Sequence, residues 1–166
     1  MKSIKIALLG FSLITLILLE GCGKNNKDEL KESSFMIYLV ALEGSNLQGK
    51  NIGCNDILVP VSKLSLVEKN VVETSMRELF SAKSTEELTN FIKGPGLFFY
   101  QATLSNGIAE IYIKGDFAIS SKCDIYRIRE QLYETARQFS EVNNVKFFMN
   151  AQSLESYLSL AEKGFK

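Results

Sequence analysis

The residues best suited to chemistry are two cysteines and the charged side chains near them. Cys54 stands in Gly53-Cys54-Asn55-Asp56, and Cys123 opens Cys123-Asp124, with Arg127 four residues on. In an oxidising compartment two such cysteines commonly pair. The bond would close a loop of about 70 residues and stabilise the fold by up to roughly 4 kcal/mol in the chain-entropy account. Two alternatives stand beside it: free thiols, or a metal held by Cys54, Asp56, Cys123 and Asp124. Zinc accepts thiolates and carboxylates, but the chain has no histidine and neither spacing matches a zinc pattern, so no metal is expected. Arg127 has to pair with a nearby acid or with a partner, and the sequence does not choose between them.

The absence of histidine excludes Ser-His-Asp and Cys-His catalysis within this chain. There is no glycine-rich phosphate loop and no G-x-S-x-G turn. Carboxylates are plentiful, yet nothing in their spacing brings two together on a substrate. Asp116, after Gly115, reads as a turn residue before it reads as a site residue. Formal net charge is zero, so no broad basic surface is available for nucleic acid. These observations lead us to expect no enzymatic activity, no cofactor, no small-molecule substrate and no nucleic-acid partner.

The compartment is read from the N-terminus. Lys2 and Lys5 precede an apolar run from Ile6 to Leu19, 14 residues long, which is shorter than the ~20 residues of a spanning helix. Leu19-Glu20-Gly21-Cys22 follows and resembles the signal of bacterial lipoproteins, whose cysteine takes the lipid. Glu20 departs from that pattern, which usually has a small or apolar residue there. Residues 1–21 are accordingly expected to be a signal peptide, Cys22 the lipidation site and 22–34 a polar flexible tether. Residues 35–161 would form one domain and 162–166 a short tail. The domain would sit outside the cytoplasm, tied to a membrane through lipid on Cys22.

The chemistry-bearing residues need elements to position them. Cys123 to Phe139 carries Ile125, Ile128, Leu132, Ala136 and Phe139 at steps of three and four, which predicts an amphipathic helix with Asp124 capping its first turn. Phe35 to Leu42 predicts a central strand buried on both faces. Ile57 to Leu64 predicts a second strand, which Pro60 consigns to an edge or a bulge. Val67 to Ser81 predicts a helix with Val67, Val71, Val72, Met76, Leu79 and Phe80 inward and Glu68, Lys69, Glu73, Arg77 and Glu78 outward. Thr85 to Ile92 predicts a short helix, with a capping-box spacing at Ser84 and Glu87.

A hairpin over residues 97–114 turns at Asn106-Gly107, the preferred pair for a two-residue type I′ turn. Its register sets Leu104 against Ala109, Ala102 against Ile111 and Tyr100 against Ile113. A strand at Val145 to Met149 and a short helix at Ser153 to Ala161 complete the order. Together these predict an α+β fold: two layers, a mixed or antiparallel sheet, and two main helices on one face.

Several of these stretches together resemble the GerMN domain of spore-germination and sporulation proteins and of many bacterial lipoproteins. The matching pieces are Gly53-Cys54-Asn55-Asp56 with Leu58-Val59-Pro60-Val61, the Asn106-Gly107 turn and its following strand, Cys123-Asp124 with Arg127, and Gln138-Phe139 with Val142 and Val145. They span roughly Phe35 to Asn150. One departure is Asn150-Ala151, where members often have Asn-Gly. The resemblance implies a small α/β domain, similar to ring-building motifs of envelope machines, that works by protein contacts without known catalysis, metal or cofactor. Its motif residues would be Asp56, Pro60, Asp124 and Arg127. Self-association or an envelope protein is the expected partner; cell-wall or small-ligand binding is the alternative.

Overall fold

The structure, a computed structural model, describes residues 31–67 and 69–165. The expected signal peptide, Cys22, most of the tether and Glu68 lie outside the described residues. Among the described residues seven strands form two sheets, and three helices pack with them around one buried cluster. This is an α+β fold, with its strands divided between two sheets where the sequence suggests one. Among the described residues no helix is long and apolar enough to cross a membrane.

The first sheet has the order β1-β3-β2, with β1 at Lys31–Ala41, β2 at Lys50–Asn51 and β3 at Ile57–Val67. β1 and β3 pair antiparallel from Lys31 opposite Val67 to Ala41 opposite Ile57. The strand therefore starts inside the stretch expected to be tether. Polar Glu32, Ser33 and Ser34 are held by backbone pairing to the far end of β3, which a composition argument does not register. β1 alternates: Phe35, Ile37 and Leu39 are buried, while Met36 and Tyr38 are not.

β1 is also an edge in sheet order, although its outer side is covered. Helix α2 (Lys122–Arg137) takes the place of a neighbouring strand. Gln138, just past its end, donates to Met36 O (2.6 Å) and accepts from Met36 N (2.7 Å). Thr135 Oγ1 accepts from Tyr38 N (3.2 Å), and Gln131 Nε2 donates to Tyr38 O (2.8 Å). Val40 exchanges two backbone bonds with Thr89. Buried Gln131 and Thr135 are thus the polar groups that satisfy an otherwise orphaned strand edge.

Pro60 lies opposite Tyr38, whose backbone groups point away from β3, so Pro60 also presents its ring nitrogen away from β1. β2 reaches only Leu58 and Ile57. β3 is second in sheet order, yet at Pro60 no described residue pairs its other side, and the missing donor costs no ladder bond.

The second sheet has the order β4-β5-β6-β7: Phe98–Ser105, Ile108–Lys114, Asn144–Met149 and Gln152–Ser153. β4 and β5 form the expected hairpin, and Asn106 (φ 51°) and Gly107 (φ 76°) supply the left-handed turn. Leu104 pairs with Ala109 and Ala102 with Ile111, but Phe99 takes the place of Tyr100 opposite Ile113. A bulge at Tyr100 slips the register by one residue. It sends Phe99 into the core and leaves Tyr100 half-exposed on the outside. β6 pairs parallel to β5, which makes this sheet mixed.

The helices pack on the inner faces. α1 (Val71–Ser81) lies on β1 and β4, and α2 lies on β1 and β6; the two helices touch. α1 starts later than the sequence suggests, because β3 runs on through Val67 and Asn70 supplies the N-cap, accepting from Glu73 N (2.8 Å). Glu73, expected outward, is buried beside Lys69 and Arg77, which both pair with it. The short helix expected at Thr85–Ile92 does not form. Thr89 instead bridges Val40, Ser84 Oγ accepts from Asn90 N, and Asn90 closes on Leu79 O and Ala82 O. Strand-edge pairing and the buried Asn90 amide outweigh a weak local helix signal. α3 (Leu154–Lys163) buries Leu154 and Leu158 and ends the described fold.

Candidate functional site

Helix α2 begins at a charged cluster that ties it to the loop before β3. Ser121 is the N-cap, and Asp124, three residues in, reaches back to it. Asp124 Oδ2 accepts from Ser120 N (2.8 Å), Ser120 Oγ (2.8 Å) and Ser121 N (3.0 Å). The capping role expected for Asp124 is real, but it is exercised backward from the third helical position. The other oxygen, Oδ1, accepts from Arg127 Nη1 at 2.9 Å, and Arg127 Nε donates to Asp56 Oδ2 at 2.6 Å. Asp56 is fully buried, and its Oδ1 accepts from Glu43 N at 3.0 Å. The Arg127 guanidinium also stacks 4.7 Å from the Phe91 ring centre.

This arrangement resolves the choice the sequence left open for Arg127: it pairs with two acids of its own chain. Burial pushes the Asp124 carboxyl up, but the Ser120 and Ser121 donors and Arg127 outweigh it and hold it below the usual carboxylate range. Burial works against the Arg127 charge, and the two carboxylates more than restore it, so its proton is held more tightly than usual. Each carboxylate oxygen of the cluster already accepts a hydrogen bond. The cluster orients and locks; it does not present a base to a substrate.

The disulfide sits on its rim. Cys54 and Cys123 are joined, with Cα atoms 5.8 Å apart and 69 residues of separation. Both sulfurs are spent in that bond, so the alternative metal set of Cys54, Asp56, Cys123 and Asp124 loses its thiolates. Among the described residues no other grouping suits a metal. Cys54 (φ 65°) and Asn55 (φ 59°) take left-handed backbone in the short 3-10 turn Gly53–Asn55. Gly53 is needed there for close approach: a Cβ would lie 2.7 Å from the Tyr126 ring. Disulfide, glycine and ion pairs therefore fix one corner three ways. Pro60 lies apart from it, on β3.

Sequence reasoning did not assemble a second region. Among the described residues no helix packs on the outer face of the second sheet. Along it run Gln101, Tyr112 and Phe148 in one row and Thr103, Glu110 and Lys146 in the next. Tyr112 and Phe148 stack with centroids 5.0 Å apart and planes 14° apart. The bulge adds Tyr100, with Lys114 Nζ 4.3 Å above its ring, and Phe98 is half-exposed at the strand start. Tyr100, Tyr112, Lys114, Phe148, Asn150 and Ala151 line a shallow, mostly apolar concavity of about 450 Å3. The signal for it lay in the alternation of β5 and β6; the part due to Tyr100 required the bulge. Asn150 (φ 49°) and Ala151 (φ 68°) both turn left-handed at its edge, so Ala151 takes the conformation that glycine adopts without strain. Asp116 behaves as a turn residue, accepting from Tyr157 Oη at 3.3 Å.

No protein-family model and no curated protein matches the chain. Among solved structures it is similar to the first GerMN domain of the sporulation protein GerM from Bacillus subtilis. The match has a TM-score of 0.54 at 16% identity and covers 74% of this chain and 86% of that domain. The likeness is one of fold, and the chain has a GerMN-like α+β architecture.

Proposed function

From that GerMN-like fold we propose a lipid-anchored, extracytoplasmic protein-interaction module of the bacterial cell envelope, held at its membrane by lipid on Cys22 and without catalytic activity. The observation that carries the reading is the uncovered sheet face bearing Phe98, Tyr100, Tyr112 and Phe148. Aromatics are the side chains that most often anchor protein interfaces. Its support in the sequence is the lipoprotein-type leader, and its support in the comparisons is a fold shared with a module of a sporulation protein. Sporulation or germination is accordingly the first process to examine.

The test is crosslinking in living cells from a tagged copy at native level, read by mass spectrometry, beside a Tyr112→Ser/Phe148→Ser variant. A discrete envelope partner, or a ladder of the protein's own multiples, weakened by the variant, supports the module. Loss of lipid labelling in Cys22→Ala supports the anchor independently. The concavity of about 450 Å3 favours one second reading, a cell-wall or small-ligand-binding lipoprotein. Recovery of wall fragments with no protein neighbour above background would shift the assignment there.

A further inference from the structure

Beyond Pro60 the side of β3 facing away from β1 is open among the described residues. Met36, Tyr38 and Val40 of β1 turn their backbone groups away from β3, so Ser62, which faces Met36, turns its own away from β1. By the same alternation Leu64 and Leu66 present theirs outward too. Among the described residues nothing bonds these three pairs of groups. Strand edges are ordinarily shielded by proline, charge or a covering element. On this edge the proline comes before the open stretch, and Leu64 and Leu66 are 64% and 50% exposed. An unpaired donor–acceptor ladder and two exposed leucines thus coincide on five residues.

We propose that this edge joins two copies of the chain through antiparallel β3–β3 pairing centred on Leu64. The inference rests on the reading of this chain as an interaction module and names one partner and one surface for it. A two-fold axis through Leu64 sets it against its own copy and Ser62 against Leu66, so every outward group meets a complementary one, as an isologous contact requires. The charges agree as well. The same register sets Lys63 opposite Ser65 of the second copy, and Ser65 Oγ donates to Glu78 Oε1 at 3.3 Å. Lys63 and Glu78 form no ion pair among the described residues, and the dimer brings the lysine of each copy to the glutamate of the other. Net charge of zero adds no overall repulsion between copies.

The test is register-specific oxidation of the full-length protein in detergent and in vesicles. Paired residues at the axis would have Cα atoms about 5.5 Å apart, within disulfide reach. Leu64→Cys should therefore give a disulfide-linked dimer. Ser62→Cys lies opposite Leu66, so its two copies are about 14 Å apart and should not link, whereas a mixture of Ser62→Cys and Leu66→Cys should. Leu64→Lys, a solvent-exposed change that leaves the fold intact, should weaken self-association at least tenfold by sedimentation. Equal linking of Leu64→Cys and Ser62→Cys, or none by either, overturns the proposal. So does Leu64→Cys that stays unlinked and becomes shielded from maleimide only in vesicles, which would mark a lipid-facing surface.

Discussion

Removing Arg127 should be among the most damaging single changes in this chain, because of what it strands. In Arg127→Met, Asp56 loses its 2.6 Å partner while fully buried, and Asp124 loses one of its four donors. Breaking a buried ion pair by deleting one member costs about 3–5 kcal/mol. The Arg127 side chain is 17% exposed, so the low end applies, near ~3 kcal/mol, and the guanidinium stacking on Phe91 disappears as well. For a domain of this size that lowers Tm by about 10 °C. The assay is thermal unfolding by circular dichroism at pH 7 with the disulfide intact.

Two further readouts isolate the cause. Asp56→Asn added to Arg127→Met removes the stranded charge and should recover at least ~1 kcal/mol. Asp124 has its folded pKa depressed, so its contribution is complete above its unfolded value of about 3.9 and is lost as pH falls through the lower folded one. The acid limb of the stability profile should be shallower in Arg127→Met, since part of that depression comes from Arg127. A variant melting within about 2 °C of the parent, or a second substitution Asp56→Asn that deepens the loss, would refute the reasoning.

Other changes probe the rest of the architecture. Phe99→Ala should cost about 3–4 kcal/mol in chemical denaturation and Tyr100→Ala under ~0.5 kcal/mol, whereas an unbulged hairpin would reverse the order. Gln131→Leu strands Phe91 N and Tyr38 O, which Gln131 bonds at 2.8 Å each; it should cost about 2–3 kcal/mol and speed hydrogen exchange at the Phe91 amide. Reducing Cys54–Cys123 should lower stability by roughly 4 kcal/mol and open residues 43–56 to proteolysis, measured with and without dithiothreitol.

Helix α2 and the Asn106-Gly107 hairpin were legible in the sequence because each is a local pattern, whereas the apolar run from Phe35 suggested a central strand buried on both faces and β1 is instead first in its sheet, with Met36 and Tyr38 outside the core. A stripe at steps of three and four, or a turn pair that tolerates positive φ, carries its own structural instruction. The pairing of Cys54 with Cys123 was the leading expectation from two cysteines in a domain expected to be exported, and the structure joins them. The short helix suggested at Thr85–Ile92 does not form, since its capping signal is worth less than the strand-edge bonds that Thr89 and Asn90 make elsewhere. Polar Gln131 and Thr135 interrupt no pattern on paper, yet they are buried, because the unpaired edge of β1 lies against that face of α2.

What the sequence by itself determined is therefore the main helices, the hairpin and the α+β class: propensity, periodicity and turn chemistry act within a few residues. Tertiary structure alone decided which acids Arg127 holds, which aromatic of the Phe99-Tyr100 pair is buried, and which strand edge is left open. Those outcomes depend on groups brought together from tens of residues apart, with Asp56 and Arg127 separated by 71 positions. They follow from the rule that a buried charge or backbone group must find a partner wherever the fold supplies one.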